Sequence, residues 1–403
     1  MEIGLKMAGL NETPRGNRIH IAFFGLRNAG KSTLVNAFTG QDIAIVSDVP
    51  GTTTDPVSKA MEILPLGPCL VTDTAGLDDV GELGAMRVEK TLGVLATTDI
   101  AVWIRGEGGE NANFTDSTDC HGMFLDECRK RGVVVIEYKR GEDVEELKKK
   151  IAAVKLVERM PGLLDGLVRK GDRVLCVVPI DESAPKGRLI LPQQQVIREC
   201  LDRHVICTVC QVDGLESLGG LDGLEGYSLV ITDSQAFGEV NRLFQTFQTS
   251  KPSKRLKLTS FSILFARQKG DLAEYVKGLE AIKSLKDGDM VLVAEGCTHH
   301  RQCNDIGAVK IPKALERLSG KKLRFEFASG GSFDVSAPVG EDADGTVRLI
   351  VHCGGCMLTR REMLRRIALA KEAGVPIVNY GLILAMANGL GLESLEGLDG
   401  LGG

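Results

Sequence analysis

Apolar positions in this chain fall into short continuous runs, separated by polar stretches with helical spacing. "RIHIAFFGLRNAGKSTLVNAFTG" (18–40) predicts a strand, a glycine-rich turn and a helix. Further strands are expected at "PCLVTDTAG" (68–76), "DIAVWIRG" (99–106) and "GVVVIEY" (132–138). Strands that alternate with helices predict a parallel sheet covered on its faces. "DVEELKKKIAAVKLVERM" (143–160) reads as one amphipathic helix. A second unit opens at "DRVLCVVPID" (172–181), runs through the helix-like "PQQQVIRECLDRH" and "YSLVITDSQAF" (227–237), and closes at "SKPSKRLKL" (250–258). That basic run is read as a solvated linker. From about Leu258 a third unit is expected, with a helix near 271–285, strands at 289–296 and 348–353, another helix, and "VPIVNYG" (375–381).

The expected class is α/β: a P-loop domain followed by two further α/β units, the last an open sheet carrying a metal site. The boundaries are an N-terminal tail (1–17), the P-loop domain (18–160), a middle unit (161–250), a linker (251–257), a third unit (258–390) and a flexible Leu/Gly tail (391–403). The tail "GLESLEGLDGLGG" nearly repeats "GLESLGGLDGLEG" (214–226), which is read as a flexible surface insert.

A chain of 403 residues can hold two or three cores. Its net charge of −5 argues against a general nucleic-acid binder. No run of about 18 apolar residues implies a membrane span. The start "MEIGLKMAGLNETPRGN" has no long apolar core, so a cytoplasmic protein is expected. Eleven cysteines, an odd number without an export signal, read as reduced thiols.

"GLRNAGKS" sets Gly25, Asn28, Ala29, Gly30, Lys31 and Ser32 between a strand and a helix, with Thr33 next in the helix. This is the P-loop spacing in its required context. Glycines let backbone N–H groups close round phosphates, and the helix N-terminus adds positive potential. Lys31 is expected on the β- and γ-phosphates and Ser32 on Mg²⁺. "PGTTTDP" (50–56) offers three hydroxyls to close over a γ-phosphate. "DTAG" (73–76) places Asp73 to hold the magnesium shell and Gly76 to meet the γ-phosphate.

In this order the three segments resemble a GTPase of the TrmE–Era type. The resemblance implies GTP as ligand, Thr53 as the switch threonine on Mg²⁺, and Asn28 as a residue that helps hold K⁺. Two departures stand out. Leu77 follows DTAG and cannot orient an attacking water, so slow hydrolysis is expected. No Asn-Lys-x-Asp reads the base; "VVVIEYKRGEDVEEL" (133–147) stands in its place, as if one strand–helix unit were missing.

"AEGCTHHRQC" (294–303) brings Cys297 and His299 to the end of one strand, and "VHCGGC" brings His352, Cys353 and Cys356 to the end of another. Ligands of open α/β sheets gather at the carboxyl ends of strands. Thr359 and Glu362 form a Thr-x-x-Glu capping box, which predicts a helix just after Cys356. Three soft thiolates with a variable fourth ligand suit either a [4Fe–4S] cluster or zinc.

These two segments, the P-loop, "VVPIDESAPKGRLILPQQQ", "ITDSQAF", "LTSFSILFARQKGDL" and "GVPIVNYG" together resemble HydF, the family of [FeFe]-hydrogenase maturation GTPases. That resemblance covers nearly the whole chain. It implies a [4Fe–4S] cluster on Cys297, Cys353 and Cys356, with His299 or His352 as an exchangeable fourth ligand. It also implies a scaffold or carrier for the two-iron precursor of the hydrogenase active site, a homodimer formed by the middle unit, and the hydrogenase apoprotein and radical-SAM maturases as partners. Two rival readings are a zinc-stabilised GTPase acting on RNA or ribosomes and a pseudo-GTPase regulatory dimer.

Overall fold

Strand β1 (Ile19–Gly25) is almost entirely buried, as an apolar run without alternation requires of a central strand. In a computed structural model this protein is described at residues 15–40, 57–77, 91, 93–105, 114–156, 161–180, 189–234, 236–251, 256–296, 305–329, 333, 346–355 and 358–389. The chain divides into one unit over Met1–Arg159 and another over Met160–Gly403.

In the first unit β1 is followed by α1 (Lys31–Thr39), β2 (Val57–Ile63), β3 (Gly67–Asp73), β4 (Ile100–Arg105), α2 (Phe114–Lys130), β5 (Val134–Lys139) and α3 (Val144–Ala152). The sheet order is β2-β3-β1-β4-β5. Only β2, an edge strand of alternating exposure, runs antiparallel, and the sequence reading had not predicted it. Alternate residues of β1 serve opposite faces: Ile21 and Phe23 pack with Phe38, while Ala22 and Phe24 pack with Trp103 and Phe124.

Helix α3 was expected to run to 160 but ends at Ala152. Val154 and Leu156, two apart, both pack on the core that Leu147 and Ile151 reach from the helix. A continued helix would have turned one of that pair away.

The second unit holds two four-stranded parallel sheets. The first comprises β6 (Arg173–Val177), α4 (Leu191–Asp202), β7 (Ile206–Cys210), β8 (Leu229–Thr232), α5 (Phe237–Ser250) and β9 (Lys257–Ser260), in the order β7-β6-β8-β9. The chain goes on through α6 (Phe261–Lys269), α7 (Leu272–Ala281), β10 (Met290–Glu295), α8 (Ile311–Ser319), β11 (Arg324–Ser329), β12 (Val347–His352), α9 (Arg360–Glu372), β13 (Ile377–Asn379) and α10 (Tyr380–Ala387). Its sheet order is β11-β10-β12-β13, the same winding repeated. One hydrophobic cluster runs through both sheets.

Two expectations need correcting here. Strand β9 was split between the linker and the third unit, yet it pairs with β8 (Leu229 opposite Lys257) and completes the middle sheet. Buried Leu258, Thr259 and Ser260 explain why it is a strand and not a solvated link. The repeat at 214–226 is not a flexible insert. It forms short helical turns with Leu215 and Leu224 buried, and Asp222 pairs with Lys251 at 2.6 Å. The tail at 391–403 lies outside the described residues. Among the described residues no helix is long and apolar enough to cross a membrane.

Candidate functional site

The P-loop leaves β1 at Gly25, whose φ of 158° and tight space suit glycine: a Cβ there would lie 3.0 Å from the Ile104 carbonyl. Asn28 (φ 60°) and Gly30 (φ 87°) both turn left-handed, and Gly30 caps α1. Ala29 is buried, while Thr33 is exposed on the first turn of α1. Lys31 is buried, and its ammonium donates to the carbonyls of Gly25 (3.2 Å) and Leu26 (2.8 Å), at the centre of the loop.

Asp73 ends β3 directly beside β1, with Phe23 opposite. Its Oδ2 accepts the Ser32 hydroxyl at 2.6 Å. Its Oδ1 is buried without a hydrogen-bond partner. Burial pushes the Asp73 carboxyl above the usual range, while Ser32 and Lys31 pull it back. An orphaned carboxylate oxygen next to a serine hydroxyl fits Mg²⁺, a hard cation that takes oxygen ligands. Gly76 is buried, and Leu77 N–H donates to Gly25 O at 3.4 Å, docking the DTAG turn on the P-loop. Thr53 lies outside the described residues.

Strand β5 takes the place beside β4, and the helix after it lays Leu147 and Ile151 into the core that holds Phe38 of α1. The single stretch 133–147 therefore supplies both a strand and a closing helix. Asp143 is used as the cap of α3, accepting from Glu145 N–H at 3.1 Å. Arg140, which the sequence reading passed over, brings its guanidinium to 3.9 Å from where a Cβ on Gly30 would lie. Its place within Lys139-Arg140-Gly141, directly after β5, was the available signal.

In the second unit β10 and β12 are parallel neighbours, with Ala294 opposite His352. At their ends Gly296 N–H donates to Cys353 Sγ at 3.1 Å. The residue after Gly296 is Cys297. Cys297, His299 and Cys356 lie outside the described residues. Gly355 turns left-handed (φ 60°), a conformation that favours glycine, and a Cβ there would also have to displace the Met363 methyl. Helix α9 starts after Thr359, whose hydroxyl accepts Glu362 N–H at 3.2 Å, as the capping box predicts. Backbone N–H groups at such a terminus favour negative charge. The Glu362 side chain, however, turns to Arg365 and Arg366.

His352, one of the two histidines expected as a fourth ligand, has both of its ring nitrogens engaged. Arg366 Nη1 meets Nε2 at 3.0 Å and can only donate, so Nε2 accepts. Nδ1–H then donates to Cys353 O at 2.8 Å. The ring is fully buried, and burial pushes its pKa down to about 4. A bond from this imidazole to metal would require breaking one of these hydrogen bonds. Lys269, from α6, was not singled out from the sequence. It is 1% exposed, and its Nζ donates to Gly355 O (3.1 Å) and Leu358 O (3.0 Å). A cysteine sulfur accepting an N–H bond, with a cation held on the same loop, suits an anionic thiolate-bound centre.

Three family models match along the chain: a 50S ribosome-binding GTPase domain at residues 20–139, the hydrogen maturase F dimerization domain at 163–270 and the hydrogen maturase F tetramerization domain at 273–396. The tRNA modification GTPase MnmE of Methylobacterium radiotolerans is 39% identical over 107 residues, 25% of this chain and 24% of that protein. GTPase Der of Xylella fastidiosa is 43% identical over 108 residues, 25% of this chain and 22% of its own length. The chain thus spans about a quarter of the length of the curated relatives it matches. Among solved structures, an Aquifex aeolicus Era bound to GDP·AlF4⁻ is 14% identical, with 78% of this chain and 94% of that one covered and a TM-score of 0.25. Arabidopsis thaliana Toc33 with Mg²⁺ and GMPPNP is 15% identical, with 34% and 83% covered and a TM-score of 0.23.

Proposed function

Since this chain belongs to the hydrogen maturase F family by its GTPase–dimerization–tetramerization architecture, we propose that it is a GTP-binding iron–sulfur scaffold that carries the two-iron precursor during [FeFe]-hydrogenase maturation. The observation that supports this most is the Gly296–Cys353 contact. It joins the ends of the two strands that lead into Cys297 and Cys356. Cys297, Cys353 and Cys356 hold a [4Fe–4S] cluster in this reading, and its fourth position stays exchangeable. With His352 committed to Arg366 and Cys353 O, His299 is the histidine assigned to that position. When bound, the cluster would supply an iron whose fourth ligand can be exchanged for the incoming precursor. The protein holds the thiolates, excludes water along β12 and supplies positive charge through Lys269.

The first unit binds Mg·GTP through Gly25, Asn28, Ala29, Gly30, Lys31, Ser32, Thr33, Thr53, Asp73 and Gly76, with K⁺ near Asn28. It hydrolyses GTP slowly, because Leu77 cannot orient water. The homodimer forms through the middle sheet, where the edge strand β7 exposes Ile206 and Val209. The hydrogenase apoprotein and radical-SAM maturases are its partners, and the setting is cytoplasmic.

The test is anaerobic purification followed by iron and sulfide analysis and electron paramagnetic resonance. About four irons per chain and a reducible cluster signal are expected. Zinc in place of iron, with no sulfide, would sink the scaffold reading. A second reading, loss of GTP turnover altogether, draws support from Leu77 and from the use of Asp143 as a helix cap. Single-turnover hydrolysis with and without K⁺ decides between slow and absent chemistry.

A further inference from the structure

We propose that Lys269 is a positioning residue of the cysteine loop, and that its charge raises the reduction potential of the cluster held there. The inference rests on the cluster reading above. Lys269 lies in the last turn of α6, 1% exposed. Burying an ammonium costs several kcal/mol unless hydrogen bonds replace its water. Here the carbonyls of Gly355 and Leu358 accept from it, and they bracket Cys356 in sequence. The same residue therefore ties Gly355 and Leu358, on either side of Cys356 in sequence, to the end of α6.

The backbone around it is held with equal care. Arg360, the first residue of α9, donates to Gln268 O (2.5 Å) and Gly270 O (3.3 Å). Gln268 donates to Pro161 O (3.0 Å), and Arg267 to Asp165 O (2.6 Å). The end of α6 is thus fixed on two sides, and Lys269 cannot drift from the loop without breaking these bonds. A positive charge held on the loop that follows Cys353 stabilises the reduced state of a thiolate-bound cluster more than the oxidised one, because reduction adds one negative charge. Hydrogen bonds and buried charge near the sulfurs are recognised levers on cluster potential.

Three variants test this: Lys269→Met, Lys269→Gln and Lys269→Arg. Gln carries no charge and is too short to reach both carbonyls, so it replaces Met should Met fail to fold. In the reconstituted protein, redox titration followed by electron paramagnetic resonance should give a more negative midpoint for Met and Gln. The expected change is roughly tenfold in the reduction equilibrium, 59 mV for one electron. Arg should stay near wild type. In the metal-free chain, amide exchange in peptides covering 353–358 should speed up roughly fivefold or more for Met and Gln, as loss of buried hydrogen bonds implies. An unchanged midpoint in Met or Gln overturns the charge role. Unchanged exchange overturns the positioning role. Absence of iron in the wild type would instead defeat the cluster reading, and the exchange arm would still judge Lys269.

Discussion

Replacing Arg366 by methionine should cost the second unit about 3 kcal/mol. Arg366 is 2% exposed and serves three partners at once. Its Nε donates to Glu362 Oε1 at 2.8 Å, its Nη1 to His352 Nε2 at 3.0 Å, and its guanidinium lies 5.0 Å from the Phe333 ring centre. A hydrogen bond to a charged group contributes ~1.5–3 kcal/mol and a desolvated cation–π contact ~0.5–2 kcal/mol. Orphaning a buried charge costs more, ~3–5 kcal/mol. Glu362 keeps Arg365, at 2.7 and 2.9 Å, so the lower end of that range applies. In a domain of this size, 3 kcal/mol corresponds to roughly 6–12 °C in Tm. Arg366→Lys should lose most of the same stability, since one ammonium cannot replace a planar fork.

Two signals separate the units in this assay. The sole tryptophan, Trp103, lies in the first unit and reports its unfolding alone. Calorimetry of the metal-free full chain should show the second unit melting earlier, while the Trp103 fluorescence transition stays in place. A shift under about 2 °C, or an equal shift in Trp103, would refute the argument that this network acts locally and strongly.

Further outcomes follow from the two sites. Asp73→Asn should preserve the fold but weaken Mg²⁺ binding by roughly 10–100-fold, measured as Mg²⁺-dependent nucleotide binding; unchanged dependence would remove Asp73 from the metal shell. Lys31→Ala should abolish nucleotide binding in calorimetry, and tighter binding of ATP than GTP would count against the guanine reading. Cys353→Ser should strip iron and sulfide from the protein, whereas Cys207→Ser, in the middle sheet, should retain both. Gly278→Ala should destabilise the second unit by ~1–3 kcal/mol, because its Cβ would lie 2.1 Å from Ile377 O where α7 crosses β13; a Tm equal to wild type would show that α7 shifts freely.

Much of the P-loop was legible because its chemistry is local. Gly25, Gly30, Lys31 and Ser32 are consecutive enough that spacing alone fixes their geometry, and the central strands β1, β3 and β4 announce themselves as apolar runs. Edge strands were harder. β2 and β11 are only half-buried, so their sequences are mixed and carry no clear run. The convergence of β10 and β12 was readable from the rule that ligands gather at strand ends. The roles of Lys269 and Arg366 were not. A lysine and an arginine in helices look like solvated surface, and only tertiary packing reveals that they are enclosed. The same packing removed His352 from the set of unencumbered imidazoles, something that adjacency to Cys353 in sequence could not foretell.

Strand β9 carries a consequence for how this protein is made. It is the last strand of the middle sheet to be synthesised, yet it runs without a break into α6, which starts the next layer. Until residue 260 has left the ribosome, Leu229–Thr232 of β8 must wait with one backbone edge unpaired. Such an edge is a template for pairing with other nascent chains. A chain shortened before 257 would keep that edge permanently and should be prone to aggregate, whereas one ending after Gly270 should close the sheet. The end of the middle sheet is therefore set by translation order and sheet closure, and it falls at β9, not in the basic run that precedes it.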